Sequence, residues 1–426
     1  MDVGTVARVR QILAGSIGNL VEWYGWYAYS AAALYFAPIF FPGGTYTDQL
    51  LQSAAVFAVG FLARPLGAWL MGLYADRVGR RAALLVSNVL MCVGSLAIAV
   101  APGAASIGEW AAVILVASRI VQGLATGGQY GASATYMSEV AGKTYRGFWS
   151  SFTYVTLIGG LLLAQLVLII LQLTLSKGAM NEWGWRIPFV VGAVLAIVAY
   201  WMQARMEESH SFKKLKSDNV APAPTSHLWT RFLRETLTVI GLSAGGNMIF
   251  YITTTYMQKY LVNTAGFSKD AGTQISAAAL FVFMLAQPLA GLMSDKVGRK
   301  AMLAGAFGIL ALITWPVMNA IGTATTAMIA FALVTGSLLV QSGYTSISAV
   351  VKAELFPAYA RGLGVSLPYA ISNCIFGGTA EYVALWFKQQ GHESAFYVYA
   401  SGVLAVSFVT ALTMRDTRRH SLIVED

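Results

Sequence analysis

Charge and cysteine are scarce in this chain of 426 residues: 11% of its side chains are charged and 57% are hydrophobic, with two cysteines and four histidines. Average soluble domains carry about 25% charged residues, so a water-soluble globule is excluded and a polytopic membrane protein follows. Cys92 and Cys374 sit in apolar runs of opposite halves, which leaves no basis for a disulfide framework or a metal site. His210, His227, His392 and His420 all fall in loops or the tail, so no imidazole is expected at the centre of a site. No Ser–His pair or metal-ligand cluster points to an enzyme, and no cofactor is expected. The net charge of +9 does not argue for nucleic acid, because the cations lie in short loops between apolar runs instead of on one water-facing surface. A cleaved signal peptide is not expected either. Arg8 and Arg10 precede an apolar run, but that run carries Glu22 and lacks a small-residue cleavage site, so it reads as a retained first span.

What is abundant is long apolar sequence, and it is arranged twice over. Gly72, Asp76, Arg77, Val78, Gly79, Arg80 and Arg81 form a G-x-x-x-D-R/K-V-G-R-R/K frame that returns as Gly291, Asp295, Lys296, Val297, Gly298, Arg299 and Lys300. A second echo sets Glu139, Arg146 and Gly147 against Glu354, Arg361 and Gly362 at the same interval. The chain is therefore two related halves. In each knot the later glycine permits a positive backbone dihedral in a tight turn between two spans, while the arginines stay in water beside anionic headgroups.

Taking about 20 residues per span, apolar runs fall at 12–37, 50–74, 82–101, 111–138, 147–173 and 185–204, then at 234–262, 271–293, 302–320, 325–351, 362–386 and 395–414. The expected fold is an all-α membrane protein of twelve helices in two pseudo-symmetric bundles, 1–204 and 234–414. Residues 205–233 are charged, include Ala221, Pro222, Ala223 and Pro224, and read as a linker with an amphipathic piece on the membrane; 415–426 is a tail. Most Lys and Arg lie in the termini, the linker and the even-to-odd loops, which places both termini in the cytoplasm. Lys177, Lys259, Lys269 and Lys388 fall to the opposite loops and their helix ends.

Three cations lie inside spans: Arg64, Arg119 and Arg186. An unpaired charge there costs roughly 2.5–3.5 kcal/mol or more, so each should face a polar interior. Arg119 shares a helical stripe with Gln122, Thr126, Gln129 and Ser133. The seventh span has a stripe of Ser243, Asn247, Tyr251, Thr254 and Gln258, and the tenth one of Ser337, Gln341, Tyr344 and Ser348. Such faces can line a shared cavity between the halves or simply bond helix to helix. Two carboxylates are also intramembrane, Glu22, on a face with Asn19, Trp26 and Tyr29, and Glu381. Either can serve the site or pair with a nearby cation.

These residues carry a family likeness. The two loop frames, Asn19 to Tyr24, Gly60 to Gly67, Arg119 with Gln122 and Gly123, Ser133 to Glu139, and Trp183 to Phe189 resemble the metabolite:proton symporters of the major facilitator superfamily. Tyr256 to Gly266 and Phe376 to Leu385 resemble the branch of alpha-ketoglutarate permeases and their beta-ketoadipate-transporting relatives. The likeness runs over about residues 12–414. It implies two six-helix bundles rocking about a central site in a bacterial inner membrane, importing a dicarboxylate with protons, and a monomer is expected.

In that light Arg64 and Arg186, with Arg119 as a third, are the candidates to hold carboxylates, because a guanidinium offers a bidentate fork. Tyr27, Gln129, Tyr130, Asn247, Tyr251 and Gln287 would complete the shell. Asp76, Arg80, Glu139, Arg146, Asp295, Arg299, Glu354 and Arg361 are assigned to conformational switching. Relatives usually carry Asp at Gly25 and Glu at Gln129; both positions are neutral here, which leaves Glu22 as the membrane acid of the first half. Either Glu22 carries the coupling proton or coupling is weakened. Other dicarboxylates, beta-ketoadipate and aromatic acids stay open as substrates, as does a transporter-like receptor, although no soluble output domain accompanies the spans.

Overall fold

The computed structural model describes residues 3–78, 80–127, 145–204, 225–418 and 420–423. The side chains of 3–17 and of several residues between 72 and 84, Asp76 and Arg80 among them, lie outside this description, as do Gln129, Tyr130 and Glu139. In hydrocarbon every backbone polar group must be satisfied within its own segment, so an apolar chain of this kind crosses as helices.

In chain order the first half contributes α1 (Val3–Phe40), α2 (Tyr46–Val78), α3 (Arg80–Val100), α4 (Trp110–Thr126), α5 (Arg146–Thr174) and α6 (Gly184–Gln203). The second contributes α7 (Leu233–Asn263), α8 (Lys269–Val297), α9 (Arg299–Gly322), α10 (Ala327–Glu354), α11 (Ala358–Ser372, continued by Asn373–Gly377 and Ala380–Gln389) and α12 (Glu393–Thr413). Among the described residues, eight of these are long and apolar enough to span a membrane outright, and α3 and α4 carry shorter apolar stretches. Several helices outrun the apolar runs that announce them. α2 begins at Tyr46 and α8 at Lys269, since the chain stays helical as it passes from hydrocarbon to water.

The internal repeat reappears as a repeat of neighbours. α1 packs on α5, α2 on α4, α3 on α4 and α6; correspondingly α7 packs on α11, α8 on α10, and α9 on α10 and α12. The two halves meet through α5 against α8 and through α2 against α11, again a matched pair. At the second loop frame, Gly298 has φ +103° between α8 and α9, and a Cβ there would fall 2.6 Å from an oxygen of Asp416. Only glycine turns the chain there without strain. The first-frame counterpart, Gly79, is outside the described residues.

The halves touch at both ends. At the end holding the α8–α9 turn, the backbone N–H groups of Gly147 and Phe148, at the start of α5, donate to Asp295 of α8 at 2.9 and 3.0 Å. At the far end Lys269 donates to the Leu34 carbonyl at 2.6 Å and Gln389 to Asp48 at 2.6 Å, and nearer the centre Tyr27 of α1 donates to the Thr254 carbonyl at 2.6 Å.

Candidate functional site

The centre of the molecule is built by the approach of α2 to α4. A Cβ on Gly123 would fall 2.1 Å from the Gly60 carbonyl oxygen, and one on Gly67 would fall 2.4 Å from that of Leu124, so the two backbones lie in direct contact. Small residues permit this approach, which van der Waals packing then holds in a membrane where no hydrophobic force draws helices together. The consequence is that Arg64 of α2 and Arg119 of α4 stand side by side over one ring. The guanidinium carbon of Arg64 lies 4.1 Å, and that of Arg119 3.8 Å, from the centroid of Trp26 on α1. Arg64 also lies 4.4 Å from Phe61, and Arg119 lies 4.6 Å from Tyr29. Ring quadrupoles attract cations most strongly when both are desolvated, and Arg119 is 0% exposed.

Aromatic faces do not use up the N–H groups of a guanidinium. Arg119 donates from Nη1 to Gln122 at 2.8 Å, and Gln122 passes the bond on to Ser95 at 3.1 Å. Its Nε and Nη2 have no hydrogen-bond partner, and neither do Nε and Nη2 of Arg64. Arg64 faces Glu22 at 3.6 Å, a distance at which charges attract but no hydrogen bond forms, and both Glu22 oxygens are likewise unpartnered. Buried polar groups normally find partners, and a charged one left without costs more than a neutral one. This pair of arginines thus presents unused donors toward the interface between the halves.

The opposing wall comes from α7 and α11, each of which carries a π-helical segment at this level, Ile252–Tyr256 and Asn373–Gly377. Such segments are often found at functional sites. Tyr251 meets Phe61 edge to face at 5.3 Å, and Asn247, one turn earlier, has an unpartnered Nδ2. Between the halves lies a cavity of about 10 Å³ lined by Trp23, Trp26, Tyr27, Phe57, Phe250 and Tyr251 among others. That is about the size of one water, too small to hold an organic anion in this arrangement of the halves.

The other sequence candidates take different places. Tyr27 is buried and spans the interface, accepting from Gln165 at 2.9 Å while donating to Thr254. Gln287 is satisfied inside the second half by Phe283 at 3.2 Å and Thr345 at 2.9 Å. Arg186 is not brought to the arginine pair. It is only partly buried, donates to the Ala101 carbonyl just past the end of α3 at 2.8 Å, and lies 4.1 Å from the ring of Trp185. The polar stripes of α7 and α10 are buried throughout, as are Arg119, Gln122 and Thr126 of α4. Gly25 faces the methyl end of Met91.

Among the residues that the sequence reading assigns to switching, Asp295 also takes a 2.8 Å bond from Arg299, and Glu354 draws together Arg146 at 3.7 Å, Arg299 at 3.8 Å and Thr417 at 2.6 Å. One carboxylate of the second half thus faces an arginine of each half. Arg361 instead ties down the α10–α11 turn and the tail through the carbonyls of Ala353, Phe356 and Leu422. Asp76, Arg80, Glu139, Gln129 and Tyr130 fall on side chains outside the described residues.

Sequence reasoning placed Lys259 with the far loops and helix ends; it is in fact 1% exposed and paired with Glu381 at 2.7 Å. Its neighbours gave no signal of this, since Gln258 beside it and Thr255 and Asn263 one turn away on either side are polar. Among the described residues no cluster of His, Cys, Asp and Glu could hold a metal ion.

Comparison with known proteins bears on the family and the fold. Alpha-ketoglutarate permease of Escherichia coli (strain K12) is 50% identical over 410 residues, covering 96% of this chain and 94% of that protein. The proline/betaine transporter of Salmonella typhimurium is 29% identical, covering 97% and 84%. The solved structure of the proton:xylose symporter XylE bound to 6-bromo-6-deoxy-D-glucose superposes with a TM-score of 0.80 at 17% identity, covering 99% of this chain and 98% of that one, a likeness of fold. Residues 15–378 match the family model described as Major Facilitator Superfamily, and with its two repeated six-helix bundles the chain belongs to that superfamily of secondary transporters.

Proposed function

We propose that this transporter imports a small organic dicarboxylate, alpha-ketoglutarate first among candidates, across a bacterial inner membrane by alternating access, as a monomer with both termini in the cytoplasm. The observation that carries the reading is the buried pair Arg64 and Arg119, whose Nε and Nη2 donors are unused. A carboxylate seated there would take charge-assisted hydrogen bonds of the strong bidentate kind. Asn247 and Tyr251, facing from the second half, would orient the rest of the substrate, and Gln129 and Tyr130, outside the described residues, remain candidates from the sequence. The relative named alpha-ketoglutarate permease supports the choice of substrate. Arg186 is assigned to holding the end of α3.

Coupling follows from competition for Arg64. When a substrate carboxylate takes the guanidinium, Glu22 loses its 3.6 Å partner and takes a proton in exchange for being left buried. Bringing in a dianion against 100 mV, negative inside, costs about 4.6 kcal/mol, so a co-transported proton offsets about half. With Gly25 and Gln129 neutral, coupling rests on Glu22 and is weaker than in relatives that carry acids there.

The test is uptake of labelled alpha-ketoglutarate into proteoliposomes, competed by mono-, di- and tricarboxylates and by aromatic acids. Competition confined to dicarboxylates is expected. Equal competition by a monocarboxylic aromatic acid would replace this reading.

A further inference from the structure

About one helical turn beyond Trp26 along α1, on the side of the central cavity toward the far end, lies a second buried charge cluster. Lys259 of α7 donates to Glu381 of α11 at 2.7 Å, and both are within the second half. The same ammonium donates at 2.7 Å to Ser30 of α1, in the first half. Ser30 in turn donates to the Thr255 carbonyl at 3.3 Å. Lysine and glutamate side chains are 1% and 3% exposed, and the lid over them is α1. The charged contacts that cross between the halves nearer the far surface are less buried: Lys269 reaches a carbonyl in a part-buried contact, and Gln389 meets Asp48 in an exposed one.

A buried ion pair stabilises little relative to water, because both charges must be dehydrated, whereas removing one member leaves a charge with no counterion and is strongly destabilising. Lys259 and Glu381 remain together whether the halves are open or shut, since they belong to the same half. What changes on closure is that α1 covers them and water leaves. We propose that Lys259 and Glu381 form a charge interlock on the far gate, which closes over the pair only when it carries no net charge, with Ser30 as the contact that reads the ammonium across the interface. The interlock rests on the alternating-access reading above, in which the far end is the outer gate. It assigns a role to a carboxylate and a lysine that the substrate site does not use.

The interlock has a signature that simple packing lacks. Glu381→Gln leaves Lys259 unpaired, Lys259→Met leaves Glu381 unpaired, and either should shift the gate toward open. The double variant Lys259→Met with Glu381→Gln removes both charges and should close it again. Ser30→Ala keeps the pair and should produce a smaller opening, so it serves if a single-charge variant fails to fold. Glu393→Gln, which disturbs the partly exposed Lys388–Glu393 pair at 3.6 Å in the same half, should do nothing, because water already reaches it.

The measurement is double electron–electron resonance in lipid nanodiscs, with labels on the exposed far-end positions Pro42→Cys and Gln390→Cys after Cys92→Ser and Cys374→Ser. We expect the open-to-closed ratio to rise roughly tenfold or more in each single-charge variant and to return to near the parent ratio in the double. If alpha-ketoglutarate moves the distances but the single variants do not, or if the double variant is as open as the singles, the interlock is overturned. If neither substrate nor any variant moves them, alternating access itself fails, and the interlock with it.

Discussion

Replacing Arg64 by lysine isolates what a guanidinium does here, because the charge is kept and the planar fork is lost. In the wild-type chain the group lies 4.1 Å from Trp26 and 4.4 Å from Phe61, with Nε and Nη2 free to bond a substrate. A lysine ammonium would give one charge-assisted hydrogen bond where the fork gives two, a loss of about 1.5–3 kcal/mol. It would also stack less well on the indole, losing about 0.5 kcal/mol. Together these are about 2–3.5 kcal/mol, or roughly 30- to 300-fold in Kd. Titration calorimetry of purified protein with alpha-ketoglutarate reads this directly. Thermal stability should hardly change, since the 3.6 Å contact with Glu22 is already loose. A Kd within threefold of the parent, in a protein with an unchanged melting curve, would refute the assignment of Arg64 to the substrate carboxylate.

Arg186→Ala should do the reverse: it removes the bond to the Ala101 carbonyl and should lower stability by about 1–2 kcal/mol in a thermal melt, while the folded fraction binds substrate as before. Gly123→Val, with a Cβ placed 2.1 Å from the Gly60 carbonyl, should cost at least about 2 kcal/mol and separate Arg64 from Arg119, so a stable, fully binding variant would contradict the packing account. Asp295→Asn weakens the charge that the start of α5 meets at 2.9 and 3.0 Å. It should slow transport roughly tenfold by destabilising closure at that end and leave equilibrium binding within threefold; a large loss of affinity would place Asp295 in recognition instead.

Much of this was legible in the sequence because the membrane removes alternatives. Apolar runs must be helices, so the spans were readable to within their ends, and the paired loop frames announced the two halves before any contact was known. Arg64 and Arg119 stood out for the same reason: a cation in an apolar run needs an explanation. Arg186 looked equivalent by that criterion, yet it lies at the first turn of α6, only partly buried, where Nη2 donates to a backbone carbonyl just past the end of α3 while Nη1 is unpartnered. Depth in the membrane, not residue type, separates these arginines, and depth depends on where each helix begins. Glu381 does pair with a cation, one of the two readings its sequence left open; the depth of burial of Lys259 and Glu381 was not legible, for a related reason. Each lies near a span end, and only the folding of α1 across them, through Ser30, makes that end an interior. The π-helical segments of α7 and α11 left no sequence mark, since Ile252–Tyr256 and Asn373–Gly377 contain residues that regular helices also use.

Whether Glu22 links substrate to protons is measured directly by alpha-ketoglutarate accumulation in proteoliposomes at a clamped membrane potential, with and without an inward proton gradient. The gradient should raise accumulation a few-fold in the parent chain. Glu22→Gln should abolish that response while substrate exchange, which moves no net charge, continues at a comparable rate. A gradient response that persists undiminished in Glu22→Gln would show that the proton travels by another group and that the exchange of partners at Arg64 does not drive transport.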